Sequence, residues 1–288
     1  KGRGAAFVCP SCGETTLDSY VKAEGENGRI GCQLMAIVGD GPNGRLYLSP
    51  DAEQEKAAIV SRPDDYPDGD MPTNPRWFSP PAFGMARYAD IFTNRQLMTL
   101  TLLSDLVSEV QYCIEKDAIS AGYKNDHIPL AKGGCGAKAY SEAVAVYLAF
   151  AVDRITAFSV SVSRWSNSNE KVMNCYARQA LPMVWDFPEA NILGECVGGF
   201  VPSADYIAEC VETLIHDPAY EGKVRQHNAQ VDCGMRNIII STDPPYYDNV
   251  GYADLSDFYY IWMRRMLKDI YPDLFSTMLV PKAEELIA

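Results

Sequence analysis

The sequence lacks any apolar run that could cross a bilayer. Its longest apolar stretch, residues 143 to 152, is only about half of the roughly 20 residues that a membrane helix needs. The opening residues, KGRGAAFVCP, also lack the hydrophobic segment of a signal peptide. We therefore expect a cytoplasmic protein with no membrane partner.

Positive charge is scarce. The chain has 25 lysines and arginines against 38 aspartates and glutamates, a net charge of -13. This is the wrong sign for a protein whose whole surface neutralises phosphates. Any contact with nucleic acid must therefore come from a local basic patch.

Metal-ligand spacing is almost absent as well. The three histidines are isolated, and most of the nine cysteines stand singly, which is typical of reduced thiols rather than a disulfide framework. The exception is Cys9-Pro-Ser-Cys12, whose spacing is that of half a zinc knuckle. Cys32 could be a third ligand if the fold returned it to this pair.

What the chain does contain is ample apolar material, 47% of 288 residues, enough for one large domain or two ordinary ones. Strands are predicted at residues 30–38 and 45–48 around a Gly-Pro-Asn-Gly turn, and a short helix capped by Asp51 follows. The pattern divides the chain into a small β unit (1–50), a linker (51–90), a mainly helical region (91–222) and an α/β segment (223–288).

Four longer helices are predicted from apolar spacing and end signals. The first two are expected to share one core, and the third is expected to have Ser203 as its N-cap. The first follows a second predicted N-cap, Thr93. The four predicted helices cover residues 94–117, 141–165, 203–216 and 256–270.

Residues 237–242, Asn-Ile-Ile-Ile-Ser-Thr, predict a buried strand, and Asp243-Pro244-Pro245-Tyr246 follows at once. A strand, a loop and a helix form the α/β building block, in which ligands bind beyond the carboxyl ends of strands. The loop is therefore the candidate site.

The residues of this loop suit methylation of an exocyclic base amine, which is a poor nucleophile because its lone pair is delocalised into the ring. Asp243 and the carbonyl of Pro244 could accept the two N–H groups and so favour a pyramidal nitrogen. The prolines stiffen the loop. Tyr246 offers a ring on which a base taken out of its stack could lie.

The run DPPYYDNVGYADLSDFYYIWMRR, residues 243–265, resembles the motif of amino-methyltransferases that act on adenine N6 or cytosine N4. Together with four further segments (77–107, 143–165, 179–191 and the closing YPDLFSTMLVPKAEEL), it is most similar to the adenine-specific DNA methylases that contain a zinc-ribbon domain, the family of domain of unknown function 1156. The resemblance covers most of the chain after about residue 75.

The resemblance implies an α/β fold that contains part of a Rossmann-like methyltransferase sheet, with a helical insertion and a partial zinc ribbon at the N-terminal end. It implies S-adenosylmethionine as methyl donor, bound in part by Asp243, and DNA as partner. The implied catalytic residues are Asp243, Pro244, Pro245 and Tyr246, with Tyr247, Asp248 and Asn249 lining the substrate pocket. Cys9 and Cys12 are the implied zinc ligands.

Some features depart from the family. The glycine clusters at 133–136 and 194–199 do not follow a clear strand, so the donor-binding loop is expected upstream of Lys1 in a longer protein. His227-Asn228-Ala229 stands where the family tends to carry Gly-Asp-Ala. A non-catalytic binding or specificity module therefore stays open beside the enzyme, as do cytosine N4, RNA and protein glutamine as acceptors.

Overall fold

The computed structural model describes residues 6–214, 222–244 and 250–283. In these ranges the chain forms six α-helices and three two-stranded antiparallel sheets. The strands are β1 (Ala6–Val8), β2 (Thr15–Leu17), β3 (Ile37–Gly41), β4 (Gly44–Leu48), β5 (Arg164–Ser166) and β6 (Lys171–Met173). The helices are α1 (Asp18–Glu26), α2 (Ala52–Ala57), α3 (Asn94–Ser120), α4 (Ala137–Thr156), α5 (Phe200–Glu212) and α6 (Tyr252–Leu267).

The mixed α/β class is thus confirmed. No helix within the described ranges is long and apolar enough to span a membrane.

The N-terminal β unit consists of two hairpins. β1 pairs with β2, and β3 pairs with β4 through a turn in which Gly41 lies opposite Gly44. The predicted strand at 30–38 is wrong for most of its length, because β3 begins only at Ile37. The short helix capped by Asp51 is confirmed: the Asp51 carboxylate accepts from the backbone N–H of Gln54 at 2.8 Å.

Helices α3 and α4 pack against each other, as expected. Thr93 caps α3 through its hydroxyl, which accepts from the Gln96 backbone at 3.2 Å, while the Gln96 side chain accepts from the Thr93 backbone at 2.9 Å. α4 begins at Ala137, earlier than predicted, and ends at Thr156. Small residues such as Ala145 and Ala149 are buried on it, which lets neighbouring helices approach closely.

The starts of the last two helices differ from the predictions. α5 begins at Phe200 with Gly199 as N-cap, so Ser203 is a buried residue inside the helix and not its cap. The apolar pair Phe200-Val201 lies in the first turn of the helix, before the serine. Likewise α6 begins at Tyr252, and Ser256 lies within it, donating its hydroxyl to the Tyr252 carbonyl at 2.7 Å.

The core lies where α6 meets α3, α4 and the segment before α3. Trp262 and Phe258 of α6 are fully buried against Phe92, with ring centroids 5.5 and 5.8 Å apart. Tyr88, also fully buried, donates its hydroxyl to the Asp254 carbonyl at 2.7 Å. The spacing of Tyr259, Trp262, Met266 and Ile270 predicts one apolar face of the last helix. Trp262, Met266 and Ile270 are indeed buried, whereas Tyr259 is half-buried and Ile270 lies just after the end of α6.

The predicted buried strand at 237–242 is wrong. This segment is irregular, and Ile239 is 98% exposed. Asn237 adopts a φ of 55°, a left-handed conformation that interrupts extended backbone. β-branched residues favour a pleated surface only when a partner strand supplies hydrogen bonds and packing. Within the described residues no neighbouring strand does so, and they contain no Rossmann-like sheet.

Candidate functional site

The predicted catalytic loop begins on the surface. Asp243 and Pro244 are exposed and irregular, so the Asp243 carboxylate is open to solvent and not engaged in the core. The other predicted site residues lie outside the described residues: Pro245, Tyr246, Tyr247, Asp248 and Asn249. The structure therefore gives the start of the loop and, from Val250 onward, its exit.

The exit of the loop is firmly packed. A Cβ built on Gly251 would lie 3.0 Å from ring carbons of the buried Trp77, so glycine allows the backbone to approach this ring. The Tyr252 N–H donates to the Val250 carbonyl at 3.1 Å, and α6 starts there. Helix α6 is thus anchored on Trp77 directly after the loop.

A shallow cleft with a volume of about 360 Å³ adjoins this exit. One wall is the beginning of α6 together with Val250, and the other is the segment that follows β6. Tyr176 and Tyr259 face each other in it as a stacked pair, with ring centroids 5.6 Å apart and planes at 24°. The lining residues are Tyr176, Ala177, Arg178, Gln179, Val250, Tyr252, Leu255, Ser256 and Tyr259.

The segment that carries Arg178 and Gln179 is held at both ends. Before it, the Cys175 N–H donates to the Ala157 carbonyl at 2.9 Å, and the Tyr176 hydroxyl donates to the Leu255 carbonyl at 2.9 Å. After it, the Leu181 N–H donates to the Trp77 carbonyl at 2.7 Å. Trp77 therefore positions both the exit of the predicted catalytic loop and the opposite wall of the cleft.

The groups behind the cleft are uncharged at neutral pH. Burial raises the pKa of Tyr176 and of Tyr259, and it raises the pKa of the adjacent Cys175 thiol to about 12. Arg178 is the one charged side chain among the described lining residues. Although the chain has a net charge of -13, the described lining of the cleft combines one cation with aromatic rings and contains no carboxylate.

An ion pair fastens the first turns of α6 to the C-terminal segment. Asp257 is fully buried, and its carboxylate accepts from the Val280 N–H at 2.7 Å and from Lys282 Nζ at 2.6 Å. Lys282 Nζ also lies 3.7 Å from the Asp254 carboxylate. Burial raises the pKa of Asp257, although Lys282 and the Val280 N–H oppose the shift. The pair fixes the helix that forms one wall of the cleft.

Cys9 and Cys12 lie on the turn between β1 and β2. The Gly13 N–H donates to the Cys9 carbonyl at 2.8 Å. Hydrogen bonds from the backbone of Cys12 and Ser11 lower the pKa of the Cys9 thiol, which suits a metal ligand. The described residues nevertheless contain no group of three or more His, Cys, Asp or Glu that could hold a metal. The pair fits half of a zinc site, and zinc stays a prediction.

The glycine clusters do not form a donor site in the described ranges. Gly136 precedes α4, but a Cβ there would lie 2.4 Å from the Lys124 carbonyl. Gly199 precedes α5, and a Cβ there would lie 2.1 Å from the Gly194 carbonyl. Both glycines thus serve close packing within the chain. Neither glycine cluster is therefore a donor-binding loop, and S-adenosylmethionine stays a prediction.

The sequence patterns did not single out Arg178 and Gln179. They lie in an irregular segment without periodicity, and only the fold brings them beside α6. Comparisons of the chain with models of protein families, with curated proteins and with solved structures each gave no match. Function must therefore be argued from the loop and the cleft.

Proposed function

We propose that the chain carries the amine-binding part of an S-adenosylmethionine-dependent amino-methyltransferase that acts on DNA, with adenine N6 as the acceptor. The observation that carries the proposal is the Asp243-to-Tyr246 sequence, which leads into the wall of a tyrosine-lined cleft at Val250 and Tyr252. The exposure of Asp243 supports it, since an acceptor for a substrate amine must be reachable.

The residues of the chain orient the amine. The Asp243 carboxylate accepts one N–H and the Pro244 carbonyl accepts the other, which makes the nitrogen pyramidal and directs its lone pair outward. Tyr246 stacks on the extrahelical base. S-adenosylmethionine, when bound, supplies an electrophilic methyl group. The proton that the amine loses passes to Asp243 or to water.

The described residues supply only the acceptor side. A Rossmann-like sheet and the donor site belong to the same proposal and would have to be formed outside the described ranges. A cytoplasmic location also belongs to the proposal. Cytosine N4 is the nearest alternative acceptor, because the same pair of acceptors serves either amine.

A second candidate of another class is a DNA-binding or specificity module without activity of its own. It is favoured by the packing of Gly136 and Gly199 against the chain's own carbonyls, since neither glycine-rich turn is then open to a donor. Calorimetry with S-adenosylmethionine separates the candidates. The chain and a longer protein that contains it are both measured: binding by either one favours the enzyme, and absence of binding by both favours the module.

The direct test measures methyl transfer. The chain, or the longer protein that contains it if only that one binds the donor, is incubated with unmethylated DNA and labelled S-adenosylmethionine, and the DNA is digested to nucleosides for mass spectrometry. We expect N6-methyladenine, and on the order of 10²–10³-fold less of it with Asp243→Ala, because an acceptor aimed at the reacting group is lost. Asp269→Ala, which removes an exposed carboxylate just after α6, should leave the rate unchanged.

Two results would overturn the proposal. One is the absence of any methylated base with the wild-type protein. The other is equal activity of the Asp243→Ala and Asp269→Ala variants. N4-methylcytosine in place of N6-methyladenine would keep the reaction and correct the acceptor.

A further inference from the structure

We propose that the cleft beside α6 binds one unstacked nucleotide of a DNA strand, with Tyr252 stacking on its base and Arg178 contacting its phosphate. The inference rests on the proposed function for the choice of DNA and extends it to residues outside the catalytic motif. In this arrangement the cleft holds a nucleotide neighbouring the one whose base is methylated.

The shape and lining of the cleft suit an aromatic ligand. A volume of about 360 Å³ lies within the range of small-molecule sites, about 300–1,000 Å³. Tyr176 and Tyr259 already stack on each other, whereas Tyr252 is 42% exposed at the first position of α6. Tyr252 is therefore the ring that remains available to a base, and stacking on it would be tolerant of sequence.

The charge of the cleft suits a phosphate. Arg178 is exposed at the rim, and no carboxylate is among the described lining residues. The nearby Asp254 and Asp257 both face Lys282, which offsets one of their two charges. Arg76 lies over the ring of Trp77, with its guanidinium carbon 5.7 Å from the ring centroid, and Gly251 packs on that same ring. Arg178 is thus the local cation through which the cleft of an acidic protein could contact a phosphate.

The position of the cleft suits a strand rather than a free nucleotide. The cleft is shallow and open to solvent, so a chain could enter and leave it. Val250, which lines the cleft, follows the predicted catalytic loop directly in sequence, so we infer that a strand whose base is bound by that loop continues into the cleft. Gln179 beside Arg178 adds an amide that can donate to and accept from a base edge.

The test is binding without any methyl donor, so that it does not depend on catalysis. A short fluorescein-labelled single-stranded DNA is titrated with protein at several salt concentrations, and anisotropy is recorded. We expect Tyr252→Leu to weaken binding by roughly 10-fold, with Tyr252→Phe close to wild type. Arg178→Gln should reduce the slope of log K against log salt by about 0.7, the value for one contact to a single strand.

Lys132→Gln is the matched control, because it removes an exposed cation from a distant turn. Its salt slope should equal that of the wild type. An Arg178→Gln slope equal to that of the control, or full affinity in Tyr252→Leu, would overturn the inference. So would absence of DNA binding by the wild type, and tighter binding of RNA of the same sequence would overturn the assignment to DNA.

The two proposals can fail separately. DNA methylation that depends on Asp243 but is accompanied by unchanged binding in both cleft variants would remove only the role of the cleft. DNA binding that depends on Arg178 and Tyr252 but is accompanied by no methylation would remove only the enzymatic proposal.

Discussion

In the helical core the apolar pattern of the sequence predicts which residues are buried, whereas in the segment 222–244 it does not. In the core, one apolar face of each of the helices α3, α4 and α6 is buried, as the residues Leu97, Val152 and Trp262 show. In the segment, Ile238, Ile239 and Ile240 are all exposed although they form the most β-branched run of the chain. The difference shows that a helix carries its hydrogen bonds within itself, whereas a strand needs a partner.

The comparison also separates two parts of the candidate site. The cleft belongs to the core side, because its walls are fixed by Trp77, by α6 and by the hydrogen bond from Tyr176 to Leu255. The entry to the predicted catalytic loop, Asp243 and Pro244, belongs to the exposed segment. The walls of the cleft are thus held by packing and hydrogen bonds, whereas the entry to the predicted loop lies in solvent.

The same substitution in both regions gives the largest expected contrast. Ile155→Ala in α4, where the side chain is fully buried, should lower the free energy of unfolding by about 2–5 kcal/mol, because it removes packed methyl groups and leaves a cavity. Ile239→Ala, at a 98% exposed position, should change it by less than about 0.5 kcal/mol. Urea denaturation of both variants measures the contrast.

A large loss of stability in Ile239→Ala would contradict the exposed position of this segment. Native-state hydrogen exchange provides an independent check. Amides at 238–240 should exchange rapidly and those of α4 slowly.

Removal of the ion pair at α6 should have a smaller effect. Lys282→Met leaves the buried Asp257 carboxylate without its cation, and the expected loss is about 1–3 kcal/mol. The lower part of this range is favoured because Lys282 is 37% exposed and solvent screens the pair. Lys282→Arg, which keeps the charge, should retain most of the stability.

The pH dependence of stability in Lys282→Met is a second test of this ion pair. Burial raises the folded-state pKa of Asp257, and removal of Lys282 should raise it further. The folded protein then holds its proton more tightly than the unfolded chain, whose aspartate pKa is about 3.9, so stability falls as pH rises from that value through the folded-state pKa. The fall should be steeper in Lys282→Met than in the wild type. A parallel pH profile would contradict the role of the pair.

Much of the helical core could be predicted because its signals are local. Thr93 and Gln96 form a capping box three residues apart, and the stripe that includes Leu97, Leu100 and Val107 follows it directly. The start of α5 was misplaced because a serine is a stronger cap signal than a glycine, although Gly199 is the cap in the structure. Such signals fix the type of an element better than its ends.

The cleft could not be predicted because its walls come from distant parts of the chain. Tyr176 and Leu255 are 79 residues apart in sequence, and the segment of Arg178 has neither helical nor strand periodicity. The prediction of a strand at 237–242 was wrong for a related reason. Its β-branched residues favour a strand, but the sequence of this segment does not show whether a partner strand is present. The catalytic loop itself remains a prediction.

The smallest expected effects concern two capping boxes, which sharpen the comparison further. Thr93→Ala removes the cap of α3, whose face is buried in the core, and should cost about 1 kcal/mol. Asp51→Ala removes an equivalent cap from α2, which has no buried residue, so α2 can fray without opening the core and global stability should hardly change. Thr93→Ser, which keeps a hydroxyl, is the control. Equal losses of stability for both alanine variants would show that α2 unfolds together with the core and belongs to the same cooperative unit.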